Sequence, residues 1–417
     1  MGQTFAEKVL SKAYGKTVRS GDVAIVEPNF CMSHENASAI IGTFKKIGLK
    51  KVWNPDKIVI IFDHTVPAAT GPYADAQKIV RDFVKEQGIR HFYDMNSNGG
   101  ICHQIMCQEG FAAPGLITVG SDSHTCTHGA VGAFSTGIGR SEMAAIWATG
   151  QLWFQVPSTI KINVEGSFRK GVSAKDLILK IIGDFKADGA DYKSVEFHGT
   201  GIDAMSVSER MTLCNMGVEM GAKNAVCKPD KTVEDFLKGR TKDGSSEALW
   251  ADSDAAYDSE VFYDLTTLEP GVAKPDTVDN YAPISEVTGT PIHQAFIGSC
   301  TNARLDDLRI AAETLKGRQV AVRTLVYPAS REVFAEAMRE GVIQTLLDAG
   351  CTINHPGCGP CAGVYGGLLA SGETCISTAN RNFKGRMGSK DAGVYLASPA
   401  TVAWSAVQGC ISDPREV

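Results

Sequence analysis

Residues 116–128 read LITVGSDSHTCTH. A short apolar, β-branched run leads straight into a cluster of Ser, Asp, His, Thr and Cys. Such a run suits a buried strand, and the cluster suits the loop that leaves it. The pattern recurs along the chain. KIVIIF (57–62) runs into Asp63-His64, HFYDM (91–95) into NSNGGICHQ, and HQAFIG (293–298) into Ser299-Cys300-Thr301-Asn302. AVRTLVY (321–327) ends at Pro328-Ala329-Ser330.

Helical periods follow several clusters. In DDLRIAAETLKG, Leu308, Ala311, Ala312 and Leu315 share a face, and Gly317 ends the pattern. In REVFAEAMREGVIQTLLDAG, apolar pairs recur from Val333-Phe334 to Leu346-Leu347, predicting a helix that Gly350 stops. Strands alternating with helices predict an α/β fold with a largely parallel sheet. Ligands bind beyond the carboxyl ends of such strands, where these clusters fall. Alternation in TIKINVEG, then an amphipathic helix in SAKDLILKIIGDF, opens a second domain near 158. Residues 239–290, rich in Asp, Ser, Gly, Thr and Pro, read as an edge segment and a linker. The expected division is 1–157, 158–287 and 288–417.

The length, 417 residues, agrees with roughly three domains. A hydrophobic share of 43% with 21% charged residues is that of a soluble globular chain. The net charge of −6 speaks against a nucleic-acid partner or an anionic membrane. The start, MGQTFAEKVL, has no apolar signal core, and no apolar run is long enough for a membrane span. A cytoplasmic protein is expected. Its twelve cysteines should then be thiols or ligands, not disulfides.

PGCGPCAG (356–363) holds Cys358 and Cys361 in a C-x-x-C pair. A redox dithiol needs a strand directly before it in a compact βαβ unit, and CTINHPG is short and turn-like. Structural zinc takes two close pairs, and this chain has one. A cluster of iron and sulfide is held by thiolates. The best third thiolate is Cys300, at a predicted strand end. Three ligands leave one iron without a thiolate, and open coordination marks a catalytic metal. Packing residues are the default for the other nine, with Cys102 and Cys126 lying inside polar motifs.

Several stretches together resemble the aconitase family: FDHTVP (62–67), GICHQ (100–104), GSDSHTCTHGAVGAFSTGIG (120–139), NMGVEMGAKN (215–224), IGSCTN (297–302), GCGPCAG (357–363) and NRNFKGRMG (380–388). They occur in family order and span nearly the whole chain. The resemblance implies three-layer α/β/α domains around a [4Fe–4S] cluster held by Cys300, Cys358 and Cys361. The fourth iron would be open, a Lewis acid for a substrate hydroxyl and carboxylate. Asp63, His64, His103, Asp122 and His124 would form an acid–imidazole network around it. Asn215 and Glu219 would share a helix face, four residues apart, and touch the hydroxyl or its water. His34, Ser123, Arg381 and Arg386 would bind the substrate, the guanidiniums matching its carboxylates. Asn380 would support the cluster.

The implied reaction is loss and addition of water on a 2-hydroxy dicarboxylate. 2-Isopropylmalate, a leucine precursor, comes first; homoaconitate and alkylmalates such as 2,3-dimethylmalate are alternatives. Family members of full length carry a C-terminal swivelling domain with the serine that takes the carbon-bound proton. This chain stops at Val417, so a separate small subunit is expected to supply that domain. One stretch departs: in MSHENA (32–37), Ala37 stands where relatives usually have threonine. A reading of another class is a cluster-free RNA-binding regulator, against which the acidic charge and intact acid–imidazole motifs both count.

Overall fold

The computed structural model describes residues 2–417, which form three sheets and a small ribbon. The first sheet is all parallel, in the order His91–Tyr93, Ile58–Ile61, Phe30–Ser33, Ile117–Gly120, Phe134–Gly137. Its central strands are buried along their length, as sheets covered on both faces require. The second sheet is parallel too: Asn224–Cys227, Ser194–His198, Thr159–Glu165, Ser259–Asp264. The third has seven strands, with Gln294–Ile297 between Thr374–Ser377 and Arg323–Val326. Gly271–Ala273 and Tyr281–Pro283 add an antiparallel edge to it. Val23–Val26 pairs with Leu152–Gln155 as a separate ribbon.

Each run expected to be a strand is one. Two other expectations change. The helix expected across 331–349 is two, Arg331–Arg339 and Val342–Asp348. Gly341 between them sits at φ +74°, a left-handed conformation that ends an α-helix and that glycine adopts without a Cβ penalty. The apolar faces on either side both reach the core, with Val333, Ala337, Ile343 and Leu346 in one cluster. That is why the period runs on through the break. The segment 239–290 also carries more order than a linker. Ser259–Asp264 is an edge strand of the second sheet, and residues 271–283 belong to the third sheet. The third sheet thus recruits residues from before position 288.

The carboxyl ends of the first and third sheets face one another. Gly100 forms a bridge with Ser330, and Ile101 N donates to Ala329 O at 2.8 Å, joining the two. Among the described residues, no helix is long and apolar enough to cross a membrane.

Candidate functional site

Strand ends of the first and third sheets feed one cavity of about 290 Å³. From the first sheet, Ile58–Ile61 delivers Asp63 and His64, and Ile117–Gly120 delivers Asp122, Ser123 and His124. From the third, Gln294–Ile297 leads to Cys300, Thr352–Ile353 to Cys358 and Cys361, and Thr374–Ser377 to Asn380 and Arg381. His34, His103 and Arg386 complete the predicted residues on its wall. Asn215 and Glu219 stand one contact behind it.

Three imidazoles are each bound to a carboxylate, those of Asp63 and Glu219 buried and that of Asp122 half-buried. His64 Nδ1 lies 2.6 Å from Asp63 Oδ1, His103 Nε2 lies 2.9 Å from Asp122 Oδ1, and His124 Nε2 lies 2.7 Å from Glu219 Oε1. Burial would raise the Asp63 carboxyl, but the charge and hydrogen bond of His64 hold it at about 2. Burial opposes the His64 charge in turn, and Asp63 outweighs it, raising His64 well above its ordinary value. Asp122 and Glu219 follow the same logic. Burial works against their ionisation, and hydrogen bonds from His103 and His124 hold Asp122 well below the usual range. His124 and Arg381 lower Glu219.

Asp122 also caps the turn after it, its Oδ1 accepting from His124 N at 2.8 Å. One carboxylate therefore does both the capping and the pairing. Asp63 is anchored as firmly: Oδ2 accepts from Cys102 N at 2.8 Å, and its carbonyl accepts from Cys358 N at 2.9 Å. His34 stacks on His64 with ring centres 4.1 Å apart. Beneath them Glu35 accepts from the backbone of His64 and Thr65.

Asn215 and Glu219 do not share one helix face. The helix Val207–Met216 ends at Asn215's neighbour, and a tighter turn, Gly217–Met220, carries Glu219. The two diverge as a result. Asn215 Nδ2 donates to Cys300 Sγ at 3.1 Å, whereas Glu219 bridges His124 and Arg381 Nε, the latter at 2.8 Å. Cys102 lines the cavity; Cys126 does not, and its Sγ meets Asn215 O.

Sequence reasoning missed four residues. Arg140, at the start of the helix Arg140–Thr149, lines the cavity with an exposed guanidinium. Arg304 is buried and donates to the carbonyls of Cys300 (2.8 Å) and Thr301, fixing the cysteine turn. His128 lies 3.4 Å from His103 and 2.9 Å from Thr118 Oγ1. Lys175 is fully buried behind Asn380. No motif announces the role of Arg304 or Lys175, because burial between units defines them; His128 lies within the 120–139 motif, but its pairing with His103 is visible only in the fold. Arg140 had a signal, a cation directly after GIG in a cluster already singled out.

The fold and cavity define a class: parallel α/β sheets whose strand ends gather free thiols beside acid–imidazole pairs. The chain belongs to the aconitase family (aconitate hydratase), whose profile matches residues 7–291 and 283–409. It is 49% identical to the 3-isopropylmalate dehydratase large subunit 1 of Methanopyrus kandleri, covering 100% of this chain and 99% of that one. It is 50% identical to a probable methanogen homoaconitase large subunit of Methanosarcina mazei, over 94% of this chain and 100% of that one. Its fold is similar to the holo-form of Thermococcus kodakaraensis aconitase X, with a TM-score of 0.53, 12% identity, and coverage of 96% and 95% of the two chains.

The family implies an iron–sulfur cluster, and the donor set here fits one. Cys300, Cys358 and Cys361 are free thiols on one cavity wall. Cys300 and Cys358 pack in the same small cluster with Ile101, and Cys361 Sγ is 3.5 Å from Ser299 Oγ. Two amide donors, from Asn215 and Asn380, aim at Cys300 Sγ, each at 3.1 Å. A single zinc would draw its sulfurs within about 4.6 Å of each other, twice the Zn–S bond. Among the described residues, the His, Cys, Asp and Glu ligand atoms that gather within 4.8 Å of one another are those of His34, Glu35, Asp63 and His64, and the three thiols do not form such a set. Such a spread suits a multinuclear group.

Proposed function

We propose that this chain is the large, cluster-binding subunit of a hydro-lyase that moves water on a 2-hydroxy dicarboxylate, 2-isopropylmalate to 3-isopropylmalate in leucine biosynthesis. The observation that carries the reading is the convergence of three carboxylate-bound imidazoles and three free thiols on one cavity. The relatives' names supply the substrate and the second subunit. Cys300, Cys358 and Cys361 would hold a [4Fe–4S] cluster, which when bound supplies Lewis-acid activation of the substrate hydroxyl and carboxylate.

The remaining chemistry belongs to side chains. Dehydration needs a proton for the departing hydroxyl, and an imidazole positioned by a carboxylate can deliver one. Asp63 holds His64 through Nδ1, leaving Nε2 toward the cavity, 3.8 Å from Asp122 Oδ2. Asp122 holds His103 through Nε2 in the same way. Arg381 is steadied through Nε by Glu219, leaving its terminal nitrogens for a carboxylate. Arg386 Nε is buried without an acceptor, a costly state that a bound carboxylate relieves. The small subunit would close the cavity and bring the base for the carbon-bound proton. All twelve cysteines are unpaired, which supports a reducing, cytoplasmic setting.

A second reading is a homoaconitase. Arg140 adds a third guanidinium to the cavity wall, which suits a third carboxylate, and the M. mazei relative carries that name.

The test is iron, acid-labile sulfide and zinc per chain after anaerobic reconstitution, followed by turnover with the small subunit. About four irons and four sulfides, lost in Cys300→Ser, are expected. Stoichiometric zinc without sulfide would overturn the proposal.

A further inference from the structure

Lys175 lies in the first turn of the helix Ala174–Phe185, just after its N-cap Ser173. Its side chain is 0% exposed. The ammonium donates to the carbonyls of Thr378 at 2.8 Å and Ala379 at 2.6 Å. Among the described residues it forms no ion pair with a carboxylate. A buried ammonium facing only carbonyl dipoles has lost most of its hydration without a counter-charge. The helix N-terminus, itself the positive end, makes the position worse. Burial pulls Lys175 down to about 7, and the acidic groups that oppose it are, in order, Asp307, Cys361, Cys300 and Asp176.

The two carboxylates in that set are committed elsewhere. Asp307 accepts from Asn302 Nδ2 and Arg304 N, both at 2.9 Å. Asp176 accepts from the backbone of Ser173 at 2.8 Å and of Gly271 at 3.2 Å. That leaves the two thiols. A direct chain of contacts leads to them: the carbonyls that Lys175 holds immediately precede Asn380. Asn380 Nδ2 donates to Cys300 Sγ at 3.1 Å, and Cys361 Sγ lies 3.6 Å from Asn380 Oδ1.

We propose that Lys175 is the fixed counter-charge of the cluster site: it balances the negative charge of a thiolate-bound cluster and holds Asn380 against Cys300. It is a positioning residue that reaches the cluster through the Thr378-Ala379 backbone, and the idea rests on the cluster of the proposed function. Three thiolates outweigh the positive charge of an oxidised four-iron core. Each electron added makes the sum more negative, so a nearby fixed cation favours the reduced form.

The test compares full-length wild type, Lys175→Gln and Lys175→Met after anaerobic reconstitution. Gln keeps an N–H donor for the carbonyls and removes the charge; Met removes both. Both variants are expected to take up iron and sulfide, to show a reduction potential more negative than wild type, and to lose iron to a chelator roughly tenfold faster. The cluster-free Lys175→Gln form should melt no lower than wild type, because a buried unpaired charge is gone, whereas Lys175→Met also strands two buried carbonyls and should melt lower than Lys175→Gln. An unchanged potential in both variants would overturn the inference and leave the proposed function standing. A cluster-free Lys175→Gln form that melts lower than wild type would overturn it too, marking Lys175 as a structural tie. Wild type that takes up neither iron nor sulfide would sink the proposed function itself, and this inference with it.

Discussion

Asp63 is buried, yet it stays ionised because His64, Cys102 N and the Cys358 loop all converge on it. Asp63→Asn should keep the shape and lose the charge that orients His64. Turnover is expected to fall about 10²–10⁴-fold with iron content unchanged, measured on the reconstituted two-subunit enzyme. Arg140 separates the two substrate readings. If the third carboxylate of a tricarboxylate binds it, Arg140→Met should remove about 1.5–3 kcal/mol of binding for that substrate and leave kcat/KM for an alkylmalate unchanged. Equal losses on both substrates, abolished by salt, would instead mean long-range steering. His128 gives a pH prediction. Burial first, and His103 second, hold it well below its ordinary 6.5. As pH falls through 6.5, the unfolded chain binds a proton that the folded chain refuses, so stability present at neutral pH is lost on the acid side. The melting temperature of the cluster-free chain should fall below pH 6.5, and His128→Gln should flatten that slope. At this scale the sequence exposed the reactive residues through their motifs and hid their partners. His124 and Glu219 are 95 positions apart, and nothing in either motif pairs them.

The turn after Gln294–Ile297 shows how an element presents a ligand. Ser299 adopts φ +78°, a left-handed conformation unusual for a residue with a Cβ, and throws Cys300 into the cavity. Arg304 holds that turn through the Cys300 and Thr301 carbonyls and Thr212 Oγ1, beside the buried Asp307. Arg304→Met strands those acceptors and leaves Asp307 without its cation, so a loss of about 3–5 kcal/mol is expected. Urea unfolding of the cluster-free chain measures it; a loss under 1 kcal/mol, ~0.7 of a decade in the folding constant, would show that the turn stands without its arginine. The C-x-x-C turn has its own device. Gly359 sits at φ +55°, and a Cβ there would come 2.9 Å from the Tyr327 ring. Strands were legible because short apolar runs end sharply at polar clusters. Helix breaks were not: a left-handed glycine at 341 leaves the apolar period on both sides intact, and Gly217 turns Asn215 away from Glu219 without disturbing their spacing.

Across the whole molecule, the site is a joint. The first sheet brings the acids and imidazoles, and the third brings the thiols and Arg381. The unit around the second sheet contributes Asn215 and Glu219, which tie the thiol side to the imidazole side. Losing the register between sheets would part Cys358 from Asp63 and Cys300 from Asn215 together. Cluster binding should therefore stabilise the chain as a unit, because the ligands come from segments that only the assembled fold brings together. The proposed reaction needs one more wall. Two relatives that match this chain almost end to end are named as large subunits, and the base proposed for the carbon-bound proton would come from a separate small subunit. The chain alone, reconstituted, should show the cluster's absorption and a melting temperature above that of its cluster-free form, with no turnover of isopropylmalate. Adding the small subunit should start turnover without changing iron content. Full activity from the chain alone would mean that one of its own groups, such as Ser123, whose hydroxyl lines the cavity 3.4 Å from His124 Nδ1, takes the carbon-bound proton. Ser123→Ala would then abolish that activity, and the two-subunit mechanism would give way to a one-chain one.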